Sequence, residues 1–222
     1  RALAASLGRW LPQPPDSPVD QQRRHYLQTL TDRLAGAMEL PPNMPITVHY
    51  SSSKTVNAMA TLGGHVIVHQ GLIDTLPSEN ALAMILAHEI AHVRHRDPLV
   101  AMGRGFAVML ALSSLAGIGD GALQQWLAGV GMLPILSFSR SQEEAADSTA
   151  LQAVLALYGH VGDAAAFFEA LARRQSMPES PTMFNTHPDV EQRIARIRDF
   201  SARHVNSDQA PATPLPAFMK AS

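Results

Sequence analysis

The sequence predicts an α+β fold that is mostly α, with one small β-sheet early in the chain. Three observations predict it. Apolar residues recur at helical spacing over most of the chain, while period-two alternation is confined to about residues 45–72. The 222 residues are 46% hydrophobic, enough for one good-sized core. Aromatic residues are only 5%, so that core must rest on Leu, Ala, Val, Ile and Met.

Each element has its own warrant. Residues 1–18 close on LPQPPDSP and form a proline-rich N-terminal arm. The domain itself is expected over 19–205. Ser17 as N-cap and Pro18 at the first helical position open a helix on which Tyr26, Leu27, Leu30, Leu34 and Met38 share a face; PPNMP stops it. In ITVHY, Ile46, Val48 and Tyr50 alternate onto one face of a half-buried strand. NAMATLGGHVIVHQGLI holds a glycine pair and then a β-branched run, the pattern of a hairpin. A helix follows from near Ser78 to Asp97, with Pro98 closing it, because a residue before proline avoids the helical region. SRSQEEAADSTALQAVLALYG and GDAAAFFEALARRQ give two more. THPDVEQRIARIRDF gives a last helix, with a capping-box-like start at Thr186. Residues 206–222 lack periodicity and are expected to form a flexible tail.

The stretch 99–138 is apolar and punctuated by glycine. Its charge-free second half approaches the roughly 20 residues that span a bilayer, but carries Gln124, Gln125 and Pro134. It reads as a pair of buried or groove-lining helices, against the alternative of a hairpin that dips into a membrane or meets apolar substrates. A net charge of -2 and a pI near 6.6 leave no footprint for nucleic acid or an anionic membrane surface. With no cysteine, any metal must be held by His, Asp or Glu. The chain starts at Arg1 without an export signal, and a start without methionine fits a processed product that once carried a leader or anchor.

The chemistry is concentrated in ILAHEIAHVRH. His88 and His92 lie one helical turn apart on one face, positioned to share a tetrahedral Zn²⁺ at about 2.0–2.1 Å. Glu89 projects about 100° around the helix, within reach of a water at the metal but off the ligand face. The apolar stripe Leu82, Ile85, Leu86, Ile90 and Val93 turns that ligand face toward a cleft. A third ligand is needed. The extended H-E-x-x-H-x-x-G-x-x-H pattern is excluded, because His95 and Pro98 stand where glycine and histidine are required. A glutamate from a later helix is the other common solution, and SRSQEEAAD offers Glu143 with Asp147 four residues on. Asp147 is placed either to accept a hydrogen bond from the second ring nitrogen of a metal-bound histidine or to pair with Arg140 along its own helix. Glu144 points elsewhere.

HEIAH followed by SRSQEEAAD resembles metallopeptidase family forty-eight, the gluzincins of the HtpX, CAAX prenyl protease, BepA and mitochondrial inner-membrane types. Ser139, Arg140, Glu143, Ala146 and Asp147 match the family's S-R-x-x-E-x-x-A-D. NAMATLGGHVIVHQGLI is similar to the N-A-F-A…G-G…G-L segment, at Asn57, Gly63, Gly64, Gly71 and Leu72, with Met59 in place of phenylalanine. THPDVEQRI is similar to the family's closing motif, at His187, Pro188 and Arg193. The resemblance implies a zincin-like metallopeptidase domain whose edge strand flanks the HExxH helix. It implies one Zn²⁺ held by His88, His92 and Glu143, Glu89 as general base, and His187 as oxyanion donor or as a latch on the metal. The run Gly64, His65, Val66, Ile67 and Val68 would be the strand edge that seats substrate; His65 and His69 are taken as strand residues, not ligands. Unfolded or membrane-proximal proteins are the implied substrates. The periplasm or a bacterial membrane periphery is the implied location, with 99–138 a candidate contact to a membrane or an outer-membrane assembly. Two other functions stand against this: a zinc-binding, chaperone-like module and a metal-free helical scaffold. Glu89 argues against the first, because a pure binder needs no general base.

Overall fold

The computed structural model describes residues 11–12, 17–116, 138–174, 189–204 and 211–221, without the side chains of 108–110, 112–116 and 174. Helix α1, Pro18–Ala37, starts as its sequence requires: Ser17 caps it, accepting from the Asp20 N–H at 3.1 Å. Leu27, Leu30, Leu34 and Met38 are buried together. They pack α1 on a three-stranded sheet of β1, Thr47–Ser51, β2, Ala58–Ala60, and β3, His65–His69. Val48, Tyr50, Ala58, Ala60, Val66 and Val68 face this core.

The strand order β1-β3-β2 corrects one expectation. The run Gly64–Val68 is not an edge. Its strand β3 is central, parallel to β1 on one side and antiparallel to β2 on the other. HVIVH is a continuous apolar run, which suits a strand with neighbours on both sides. Among the described residues β1 and β2 are the outer strands, and β2 is the one beside Glu89. Gly63 and Gly64 turn the chain between β2 and β3, both at positive φ, and a Cβ on Gly64 would collide with the Pro45 carbonyl.

After the short helix α2, Gln70–Thr75, comes α3, Glu79–Arg94, capped by the Ser78 hydroxyl. Every residue of α3 from Glu79 to His92 is buried, so this helix is the axis of the domain, not a one-sided surface helix. Its ligand face is buried: His88, Glu89 and His92 have no exposed surface. A second correction concerns Pro98. The helix has ended by Arg94, Arg96 turns at φ 61, and Pro98 lies in the first turn of a new helix α4, Asp97–Ala116. Proline is tolerated there because first-turn N–H groups have no intrahelical partner.

Helix α5, Arg140–Tyr158, opens with a capping box between Ser139 and Gln142 and packs along α3. Helices α6, Ala166–Arg174, and α7, Val190–Arg203, follow. The last begins at Asp189, in a left-handed conformation without a side-chain cap; Thr186 lies outside the described residues.

Residues 211–221 also differ from expectation. They do not hang loose but strap α1, α2 and α3 together. Thr213 exchanges hydrogen bonds with Glu79 and Asn80, Arg23 donates to the Phe218 carbonyl at 2.7 Å, Gln70 donates to the Met219 carbonyl at 2.9 Å, and Met219 is fully buried. An aperiodic segment is held here by side chains that satisfy its backbone. Of the proline-rich arm, residues 1–10 and 13–16 lie outside the described residues, as do residues 117–137 of the apolar stretch. On α4, Leu99, Val100 and Phe106 are exposed. Among the described residues no helix is long and apolar enough to cross a membrane.

Candidate metal centre

Helical spacing on α3 and the packing of α5 against it bring three side chains to one point. His88 Nε2 and His92 Nε2 are 3.0 Å apart, and each lies 3.4 Å from an oxygen of Glu143. Three donors at about 2.0–2.1 Å from a tetrahedral ion would stand about 3.3 Å from one another. The donor set therefore fits such an ion in spacing as well as in chemistry, and no other group of three such side chains meets this way among the described residues.

The surroundings fit a cation too. Glu89, Asp97, Glu143 and Asp147 are all buried around the site, and among the described residues Arg193 is the buried guanidinium set against them. Uncompensated buried carboxylates cost several kcal/mol each, and a divalent ion would fill that deficit. His92 shows the field directly. Burial alone would lower its pKa, but hydrogen bonding to Asp97 and Glu143 and the charge of Glu89 push it up to about 9. The same carboxylates that favour a proton there would favour a metal cation, which must displace that proton to bind.

Each histidine is oriented from behind. His88 Nδ1 lies 3.0 Å from Asp147 Oδ1, and His92 Nδ1 lies 2.7 Å from Asp97 Oδ2, so both rings present Nε2 to the site. Arg193 is fully buried over the Phe168 ring. It donates to Asp147 at 2.6 Å and lies 3.1 Å from Glu143. Burial works to raise the Asp147 pKa, but the Arg193 charge and the His88 hydrogen bond hold the carboxylate well below its usual range. Asp97 is likewise lowered against burial, by His92 and Gln142. Phe138 stacks on the His92 ring at 4.0 Å.

Glu89 is fixed by the sheet: its Oε2 accepts from the Ala60 N–H of β2 at 2.7 Å. Thr61 and Asn57 bond to β3, so Ala58 and Ala60 direct their backbone groups toward the open edge, beside Glu89. Asn57 is buried just before this strand. Arg140, by contrast, is an exposed residue paired with Asp189 at 2.7 Å and takes no part in holding Asp147. Glu144 lies outside the cluster, near Arg196. His187 and Pro188 lie outside the described residues.

Sequence reasoning missed three contributors. In the sequence Asp97 reads as the last residue of the HExxH helix; only the turn at Arg96 sends its carboxylate back to His92. Gln142 completes the α5 capping box through Oε1 while its Nε2 donates to Asp97 at 2.6 Å. Arg193 was visible as a motif position, but nothing in the sequence says that it is buried.

The model of Peptidase family M48 matches residues 21–201 of the chain. Among similar proteins is the Yersinia pestis beta-barrel assembly-enhancing protease, 30% identical over 188 residues, which are 78% of this chain and 38% of that protein. The Schizosaccharomyces pombe mitochondrial metalloendopeptidase OMA1 is 30% identical over 156 residues, 69% of this chain and 46% of its own. The Escherichia coli metalloprotease LoiP is 28% identical over 188 residues, 82% of this chain and 72% of its own. The chain thus spans less than half the length of the first two.

Proposed function

The chain belongs to peptidase family M48, and from that membership we propose that it is a zinc-dependent endopeptidase acting on unfolded or membrane-associated proteins in protein quality control. The observation that carries this reading is the convergence of His88, His92 and Glu143 at metal-ligand spacing, with Glu89 held beside them. Two imidazoles and one carboxylate form a common catalytic zinc set. Such an ion supplies Lewis-acid polarisation of the scissile carbonyl and of the attacking water.

The chain's own residues do the rest. A substrate strand adds to the outer edge of β2, addressed by the Ala58 N–H and carbonyl and by the Ala60 carbonyl, while the Ala60 N–H is kept by Glu89. Glu89 Oε1 or Oε2 takes the proton of the attacking water as the new C–O bond forms. It then returns that proton to the amide nitrogen as the C–N bond breaks. The Ala60 N–H holds the carboxylate in place, and Asp97 and Asp147 keep each histidine in the tautomer that leaves Nε2 open. His187 is proposed, on the sequence motif alone, to donate to the developing oxyanion or to cover the metal in a latent state. In His187→Ala the first role costs roughly 10²-fold in turnover, and the second raises cleavage.

The relatives named for β-barrel assembly and mitochondrial proteolysis favour protein substrates at a membrane surface, and with them a periplasmic or membrane-peripheral location. The test is cleavage of an unfolded protein before and after chelation. Cleavage that stops with chelator and returns with zinc supports the reading. Zinc bound without cleavage at any protein concentration would leave the chaperone-like alternative.

A further inference from the structure

The face of the sheet turned away from the core carries a second pair of histidines. His49 on β1 and His65 on β3 are half-buried, and His49 Nε2 lies 3.1 Å from His65 Nδ1. Their strands are bonded in parallel, with Thr47 opposite His65 and His49 opposite Ile67, so the two rings meet diagonally with centroids 5.1 Å apart. The spacing is that of two neighbouring nitrogen ligands on one ion, and it nearly repeats the 3.0 Å of His88 and His92. Burial, His65 and Arg24 hold the His49 pKa below its ordinary value, so the ring is neutral near pH 7, the form that binds a metal. His69 stands on the same face four residues beyond His65, and its buried Nδ1 has no hydrogen-bond partner among the described residues.

We propose that His49 and His65 form a second, peripheral site for a divalent transition-metal ion, a cross-strand clip on the outer face of the sheet. Imidazole ligands without a carboxylate select Zn²⁺, Ni²⁺ or Cu²⁺ over Mg²⁺ or Ca²⁺. Two protein ligands and the nearby charge of Arg24 make the site weak and reversible, unlike the enclosed centre. Once filled, it ties β1 to β3. The site stands apart from the peptidase reading, because none of its residues touches the first cluster.

An ordinary hydrogen bond between two imidazoles has the same length, and titration separates the two cases. Zinc-loaded full chain is titrated with Ni²⁺ while zinc release is followed, so that exchange at the first cluster is seen as such. One further Ni²⁺ per chain is expected without zinc release, together with a rise in Tm. His49→Ala and, independently, His65→Gln should each weaken uptake at least tenfold and abolish the Tm rise, while His204→Ala changes neither. A far-ultraviolet circular dichroism spectrum like that of wild type confirms that each variant is folded. No uptake by the wild type, or equal uptake by both variants, overturns the proposal and leaves a hydrogen bond only.

Discussion

His88 and His92 approach within 3.0 Å and His49 and His65 within 3.1 Å, yet the surroundings of the two pairs have little in common. The first pair is sealed in the domain, with a carboxylate behind each ring and a third across the gap. The second sits half-buried on a sheet face, with its partner ring and a nearby arginine. Spacing makes a pair able to share an ion. Carboxylates at the back make it hold one tightly, because they fix the tautomer and raise the basicity of the ring. A base beside the pair, here Glu89, is what turns binding into chemistry.

The largest effect expected from breaking this contrast is at Glu89. Glu89→Gln keeps the shape and the Ala60 contact but removes the base, so cleavage of an unfolded protein should fall by about 10²-fold or more with metal content unchanged. Turnover close to wild type would take Glu89 out of the mechanism.

Stripping the supporting carboxylates should make the enclosed pair behave more like the open one. Asp97→Asn and Asp147→Asn are each expected to weaken zinc affinity by roughly 10–100-fold, read by competition with a chromogenic chelator. Asp147→Asn should also destabilise the fold, because it leaves the buried Arg193 short of its partner. Unaltered affinity in both would mean that the carboxylates behind the rings do not set it. The converse experiment gives the open pair a carboxylate. Thr47 is exposed and opposite His65, and Thr47→Glu should tighten Ni²⁺ uptake by roughly tenfold, on the scale that carboxylate partners carry at metal sites.

How far these features were legible in the sequence depends on how local they are. The two histidines could be read because they share one helix, and i, i+4 spacing fixes their geometry before any packing is known; that Glu143 joins them depends on α5 packing along α3, and only the resemblance to the family motif pointed to it. The helix face of Leu27, Leu30 and Leu34 was legible for the same reason. Strand order was not. That HVIVH is central depends on β1 pairing with it in parallel although β2 comes between them in sequence, a non-local pairing that alternation does not encode. Asp97 was hidden by a rule applied one residue too far, because a proline that ends one helix also starts another well. The strap of 211–221 was hidden because its order comes from Arg23, Gln70 and Asn80, all far off in sequence.

A smaller effect separates burial from metal binding. Glu79 at the start of α3 is also a buried carboxylate, held by Tyr26, by Tyr158 at 2.7 Å and by Arg33 at 3.1 Å. Burial raises its pKa, but these partners bring it below its ordinary value. A carboxylate with a lowered folded pKa adds stability that is complete above the unfolded value, about 4.3, and is lost as pH falls through the folded one. Glu79→Gln should therefore cost about 1–3 kcal/mol near neutral pH, flatten the acid side of the stability curve and leave zinc content intact. Loss of zinc in this variant would show that the two clusters are coupled through α3.

The account rests most directly on the metal content of purified full chain and of Glu143→Gln, measured by elemental analysis after dialysis against zinc-free buffer. It predicts about one zinc per wild-type chain and loss of most of it in the variant, since a site with three protein ligands cannot spare one without a large fall in affinity. No zinc in the wild type, or equal zinc in both proteins, would contradict it.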